Sequence, residues 1–189
     1  HNSDEKISKQ IGHGIDLSKI TKKTVVYDFR QNDILNGGEG APLTPIFHKY
    51  LILTKKLALP ACILNIGGIS NLTLVKDLND HNIISKDVGP GCCLIDNWIR
   101  NNSSKKFDSN GEIARSGKID RLIFNQAVEN FEIDKYSRSL DIKDFDISFA
   151  RGLSLEDGCA TITNFTGYLI AQGLENLISK NETIKFLVS

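Results

Sequence analysis

The 189-residue chain is predicted to adopt an α/β fold, and three features predict it. An apolar run over 61–64 enters the pair Gly67-Gly68, and a β-prone run ending at Val75 leaves it, which reads as strand, tight turn, strand. A third β-prone run over 83–86 leads into Asp87-Val88-Gly89-Pro90-Gly91. Segments with helical spacing follow, the longest over 154–178. Sheet, helices and glycine turns in this order place the chain in the α/β class.

Each element follows from local composition. Residues 7–11 read as a short strand, and 15–20 have helical spacing after Gly12-His13-Gly14. Thr24-Val25-Val26-Tyr27 is β-branched and aromatic, a strand that runs into Asp28-Phe29-Arg30. Gly37-Gly38-Glu39-Gly40 is a loop, closed by Pro42 and Pro45. Residues 47–57 are helical, with Lys55-Lys56 at the favourable C-terminal end. Pro60 punctuates the chain, and a lobe boundary is placed at 58/59, giving segments 1–58 and 59–189. Residues 92–99 form a helix with Leu94, Ile95, Trp98 and Ile99 on one face, and Trp98 is a core anchor. Residues 101–106 are a solvated linker, 108–111 a turn and 111–117 a short helix. Residues 120–131 are an amphipathic helix with Leu122, Ile123, Ala127, Val128 and Phe131 inward. Residues 136–141 are a loop. Ser154 caps the longest helix, and Glu156-Asp157 suit its positive end. The three strands from 61 to 86 suggest an antiparallel-then-parallel sheet edge.

Composition narrows the function. Hydrophobic content is 40%, charged content 24% and net charge zero, so no electrostatic footprint for nucleic acid or a membrane surface exists. The apolar runs fall short of the roughly 18 residues a membrane span needs. The polar start, His1 to Lys6, is no signal peptide. The chain contains no methionine, and residues 184–189 read as a strand that stops at its last residue, so truncation at both ends is expected. The cysteines Cys62, Cys92, Cys93 and Cys159 form no C-x-x-C and have no histidine at zinc-ligand spacing. Reduced, mostly buried thiols and no metal-ligand cluster are expected. His13 and His48 read as structural.

Several residues could carry chemistry. The Gly67-Gly68 turn allows a ligand to approach the backbone, and successive N–H groups there would form an anion-binding concavity. Asn65 and Asn71 flank it with amides; Ser70 and Thr73 add hydroxyls. The same glycines could simply permit a hairpin. Asp28, at a predicted strand end, suits a general base, and Arg30 could bind substrate oxygens; a local Asp28–Arg30 surface pair is the other reading. Asp87, before Gly89-Pro90-Gly91, suits water-mediated Mg²⁺ contact or capping of the following helix. Phosphoryl transfer needs backbone donors around phosphates, a metal and a base near the acceptor, and candidates for each are present. No Walker-type glycine-lysine turn occurs, which excludes P-loop kinases.

In five blocks the chain resembles the anhydro-N-acetylmuramic acid kinase family. They are residues 26–30 with 37–48; Asn65-Ile66-Gly67-Gly68-Ile69-Ser70-Asn71-Leu72-Thr73; 87–91 with Asp96-Asn97-Trp98; Phe107-Asp108 with Gly111, Ala114 and Gly117; and Leu155-Glu156-Asp157-Gly158 with 160–161 and 165–166. The resemblance implies an actin/hexokinase-like ATPase, or ribonuclease H-like, fold of two lobes, the first only partly present. It implies ATP and Mg²⁺ as cofactors and a cytoplasmic, possibly homodimeric enzyme of cell-wall recycling. That enzyme opens and phosphorylates 1,6-anhydro-N-acetylmuramic acid. On this resemblance Asp28 is the catalytic base, and Arg30, Gly38 and Glu156 hold the sugar. Asn65, Gly67, Gly68, Asn71, Asp87, Gly89 and Gly91 lie on the nucleotide side. The chain departs from the family in lacking its N-terminal Gly-Thr-Ser turn and its later glycine-rich nucleotide turn. Glu39 also stands for Gln, Val88 for Thr and Cys92 for Asn. An inactive segment is expected on that account, and a non-catalytic remnant or sugar-binding lobe is the alternative.

Overall fold

The computed structural model describes Asn2 and residues 4–79, 82–131, 140–178 and 184–189. Contacts divide the chain into two compact units, His1–Ile46 and Phe47–Ser189.

The first unit holds α1 (Gly14–Thr21) and α2 (Phe29–Leu35). At the start of α1, His13 Nδ1 lies 2.7 Å from Asp16 Oδ2. Gly14 is buried beneath the Tyr27 ring; a methyl group there would lie 2.3 Å from Tyr27 Cδ1. Two predicted strands are not found. The one over 7–11 reduces to a single bridge between Asn2 and Ile7. Residues 24–27 belong to no strand, with Val26 70% exposed. β-propensity records fit to a pleated, half-buried surface, and a lone strand cannot satisfy its backbone groups. No neighbouring strand pairs with 24–27 among the described residues.

The second unit is built on a four-stranded sheet of β1 (Ala61–Ile66), β2 (Ile69–Val75), β3 (Ile83–Pro90) and β4 (Lys185–Val188), in the order β3-β2-β1-β4. The first three run antiparallel, and β4 lies parallel to β1. The predicted glycine hairpin therefore forms. β3 runs to Pro90, beyond its predicted end, with a register shift at Ser70/Asn71 that leaves Val88 unmatched.

The helices are α3 (Pro45–Thr54), α4 (Cys93–Asn102), α5 (Glu112–Ser116), α6 (Arg121–Glu129) and α7 (Leu155–Leu177). β1 is covered on both faces, which explains its continuous apolar run. Cys62 and Leu64 pack with Leu72, Leu74, Val88 and Ile170 of α7. Ala61 and Ile63 pack with Val75 and with Ile52, which is fully buried in α3 ahead of the boundary expected at 58/59. The third core joins Leu94, Trp98 and Ile99 of α4 to Cys159, Ile162, Phe165 and Leu169 of α7. Ser154 caps α7 as predicted, accepting from Asp157 N at 3.1 Å.

Four local expectations are corrected. α4 continues to Asn102, so Asn101 and Asn102 are helical, because an exposed helix face accepts polar residues. On α6, Leu122 is 68% exposed and Phe124 packs instead, edge-on to Tyr168. α3 ends at Thr54, and Lys56 adopts a left-handed conformation beyond it. Asp87 lies inside β3 rather than at a strand end. The predicted loop over 136–141 falls mostly outside the described residues. Among the described residues, no helix is long and apolar enough to cross a membrane.

Candidate functional site

The Gly67-Gly68 turn is held by its carbonyls. Cys92 N donates to Gly67 O at 2.7 Å, and Gly91 N and Cys93 N donate to Gly68 O at 2.9 and 3.3 Å. Gly91 permits this approach, since a methyl group on it would lie 2.1 Å from Gly67 O. Ser70, buried, donates to Pro90 O at 3.0 Å and ties the same strands together. In a trans peptide the N–H points opposite to the C=O. The planes that aim the Gly67 and Gly68 carbonyls at 91–93 therefore aim the Gly68 and Ile69 N–H groups away from it.

Neither Gly67 nor Gly68 has a left-handed backbone. A methyl group on Gly67 would come no closer than 3.6 Å to Ile69 O, and one on Gly68 no closer than 3.6 Å to Ile142 Cδ1. The protein's own packing thus requires glycine at neither place. Glycines that packing does not require, with backbone N–H groups turned away from 91–93, are what an anion-binding turn offers.

Three of the expected polar groups share one row across the sheet. Asn65 pairs with Asn71, and Asn71 with Asp87. Cross-strand partners project from the same face. By alternation along β1 that face also carries Ile63. Asn65 Oδ1 accepts from Ser189 Oγ at 3.3 Å. Asp87 Oδ2 accepts from Leu140 N at 2.8 Å. Gly89 is placed differently: its φ of +144° and the 3.3 Å approach a methyl would make to Leu169 Cβ show that it lets β3 close on α7.

One row further along the same face, His48 Nδ1 lies 2.7 Å from Thr73 Oγ1, and Thr73 Oγ1 lies 3.2 Å from Ser85 Oγ. Ser85 donates to Leu72 O at 3.1 Å. With that proton spent, Thr73 must donate to Ser85 and accept from His48 Nδ1–H. His48 therefore reads as structural, and burial lowers its pKa.

In the first unit Asp28 is the N-cap residue of α2, exposed and left-handed at φ 68°. An aspartate tolerates that conformation better than most residues, at a cost of order 1 kcal/mol. Its backbone N–H donates to Gln10 Oε1 at 3.1 Å. The local Asp28–Arg30 pair is not formed among the described residues; Arg30 Nη1 donates to Gly40 O at 2.5 Å instead. Asp33, which the sequence reading passed over, holds the same loop. Its backbone O accepts from Gly38 N at 2.9 Å, and its Oδ2 from Gly40 N at 2.8 Å. Its carboxylate lies where a Cβ on Gly38 would be.

Glu156 is exposed in the first turn of α7. At about 1.5 Å per residue it stands roughly 20 Å along the axis from Leu169, beside which Gly89 packs. Nearby, Asp108 receives Ile113 N and Ala114 N at 2.9 and 3.0 Å and so caps α5. Burial raises its pKa, but those bonds, the Cys159 thiol and the charge of Lys105 outweigh it and hold the carboxyl below its usual range.

The thiols offer no nucleophile. Burial pushes Cys62 and Cys159 up to about 12, Asp108 adding to the effect at Cys159. Burial also raises Cys93, and burial followed by the charge of Asp96 raises Cys92, whose side chain is exposed. Among the described residues no three His, Cys, Asp or Glu side chains are grouped to hold a metal ion. A cavity of about 550 Å³ lies among Leu94, Ala127, Phe131, Phe145, Phe149 and Phe165, and no sequence-predicted site residue lines it.

A family model described as anhydro-N-acetylmuramic acid kinase matches residues 1–147. The chain is 51% identical over its whole length to a protein of that name from Pelagibacter ubique, covering 51% of that protein. It is 39% identical to one from Methylobacterium nodulans, with 93% of the chain and 46% of the relative covered. It is 40% identical to one from Zymomonas mobilis, with 87% and 45% covered. The chain thus spans about half the length of the curated relatives it matches.

Proposed function

Because the chain belongs to the anhydro-N-acetylmuramic acid kinase family, we propose that it forms part of an ATP-dependent kinase. That kinase opens 1,6-anhydro-N-acetylmuramic acid to N-acetylmuramate 6-phosphate, in cytoplasmic recycling of cell-wall sugar. The observation that carries this reading is the Gly67-Gly68 turn, whose carbonyls are tied to 91–93, so that its N–H groups face away from that segment, and whose packing does not itself require glycine. Such a turn suits the phosphates of a nucleotide. The sheet order β3-β2-β1-β4, with β4 parallel to β1, supports a ribonuclease H-like lobe.

In this reading the Asp28 carboxylate takes a proton from the water that attacks the anomeric carbon. The bond from that carbon to O6 breaks, and O6 accepts the γ-phosphoryl group of ATP. Arg30 and Gly38 contact the sugar. Asn65 and Asn71 flank the phosphates. Mg²⁺ would neutralise phosphate charge when the nucleotide is bound.

The test is Asp28→Asn in a protein of the relatives' full length that carries this chain. Phosphorylated sugar should form at least about 100-fold more slowly, the usual worth of a general base, with an unchanged melting temperature. Undiminished turnover would remove Asp28 from the chemistry.

A further inference from the structure

We infer that Asp87 is a positioning residue, which latches the segment 140–144 beside the glycine turn, and that Ile142 forms a wall of the site. The inference rests on the phosphate reading of that turn.

Leu140 N–H donates to Asp87 Oδ2 at 2.8 Å, across 53 positions of sequence. The segment then folds on itself. Asp141 Oδ1 accepts from Lys143 N at 3.0 Å, and Asp144 Oδ2 from Asp141 N at 2.7 Å, a reciprocal cap that sets the single turn Ile142–Asp144. Beyond it, Phe145 stacks on Phe131 with centroids 5.8 Å apart and packs against the core that holds Phe165. The segment is therefore a preformed turn, anchored at one end by aromatic packing and at the other by the Asp87 carboxylate.

Between these anchors Ile142 is 56% exposed, and its Cδ1 lies 3.6 Å from the point a Cβ on Gly68 would occupy. An exposed isoleucine at that spot would be covered by whatever fills the turn. A charged acceptor strengthens the hold on a backbone N–H. Asp87 also lies in register with Asn71, so one side chain ties the wall to the row beside the turn. Asp87 then acts through Leu140, and the Mg²⁺ contact expected from sequence is not needed to explain it.

The experiment compares wild type, Asp87→Asn and Asp87→Ala in the full-length protein, with amide hydrogen exchange at 140–144 and ATP titration as readouts. Asparagine keeps an oxygen acceptor for Leu140 N–H; alanine does not. Leu140 should exchange about tenfold or more faster in Asp87→Ala, the effect of losing a bond to a charged group, and within about threefold of wild type in Asp87→Asn. ATP affinity should follow the same order. Unchanged exchange at Ile99 and Leu169 in all three confirms that the fold is intact. Equal Leu140 exchange in wild type and Asp87→Ala overturns the latch. So does loss of ATP affinity in Asp87→Asn with Leu140 still protected, which would place Asp87 directly on the nucleotide. If wild type binds no ATP, the kinase reading fails, and the exchange data still decide the latch.

Discussion

A methyl group on Gly91 would lie 2.1 Å from the carbonyl oxygen of Gly67, and this is how the last turn before α4 comes to lock the hairpin. The contact is backbone on backbone, so no side-chain rotation relieves it. Gly91→Ala should therefore cost at least about 2 kcal/mol, read as a lower urea midpoint with an unchanged m-value. A loss under about 0.5 kcal/mol would mean that the turn and the segment 91–93 are not held together as described.

His48 gives a pH signature with a defined sign. Its pKa in the folded chain lies below 6.5 because burial disfavours the charged imidazole. Just below pH 6.5 the unfolded chain binds a proton that the folded chain refuses, so stability falls as the solution is acidified and levels off below the folded pKa. Asp108 and Asp146 are held below the usual carboxylate range, so the stability they add is lost only at more acid pH. At Asp146 the Ser148 hydroxyl is the main cause. Denaturation midpoints between pH 7 and pH 5 should fall in wild type and stay flatter in His48→Gln.

The thiols should separate by accessibility. Cys92 is exposed, whereas Cys62, Cys93 and Cys159 are buried. With Cys62 and Cys159 pushed up to about 12, their thiolate fraction at pH 8 is negligible. Titration with an aromatic disulfide should show one accessible thiol per native chain and four in denaturant. Rapid reaction of more than one native thiol would contradict the packing of α7 on the sheet.

Thr166 is 5% exposed, and its hydroxyl has no hydrogen-bond partner among the described residues. A buried, unsatisfied hydroxyl carries a desolvation cost, so replacing it with a methyl group of similar shape should not destabilise. Thr166→Val is expected to leave the thermal midpoint unchanged or raise it by a few degrees. A loss above about 1 kcal/mol would mean that the hydroxyl has a role the described contacts do not show.

What was legible in the sequence was local. Gly67-Gly68 between two β-prone runs gave the hairpin, and Ser154 before Glu156-Asp157 gave the start of α7. The motif blocks identified the family that the comparisons match. What was missed depends on partners distant in sequence. Thr24 to Tyr27 has strand composition, but pairing decides a strand, and none occurs there among the described residues. Phe124, Ala127 and Val128 share one face of α6, which turns Leu122 outward; only the neighbouring α7 settles which face is buried. Asp87 reads from sequence as a strand-end carboxylate for Mg²⁺ contact or helix capping, because nothing nearby in sequence announces Leu140. No motif marks Asp33, because its hold on Gly38 and Gly40 follows from the loop's path.

The claim that the Gly67-Gly68 turn receives phosphate is tested most directly by ATP titration of Gly67→Ala in the full-length protein. The backbone there is not left-handed, and the added methyl meets nothing closer than 3.6 Å, so the fold should keep its stability to within about 1 kcal/mol. The account predicts at least about a tenfold loss of ATP affinity at an unchanged melting temperature, because the methyl enters space the phosphate needs. Wild-type affinity in that variant would contradict it.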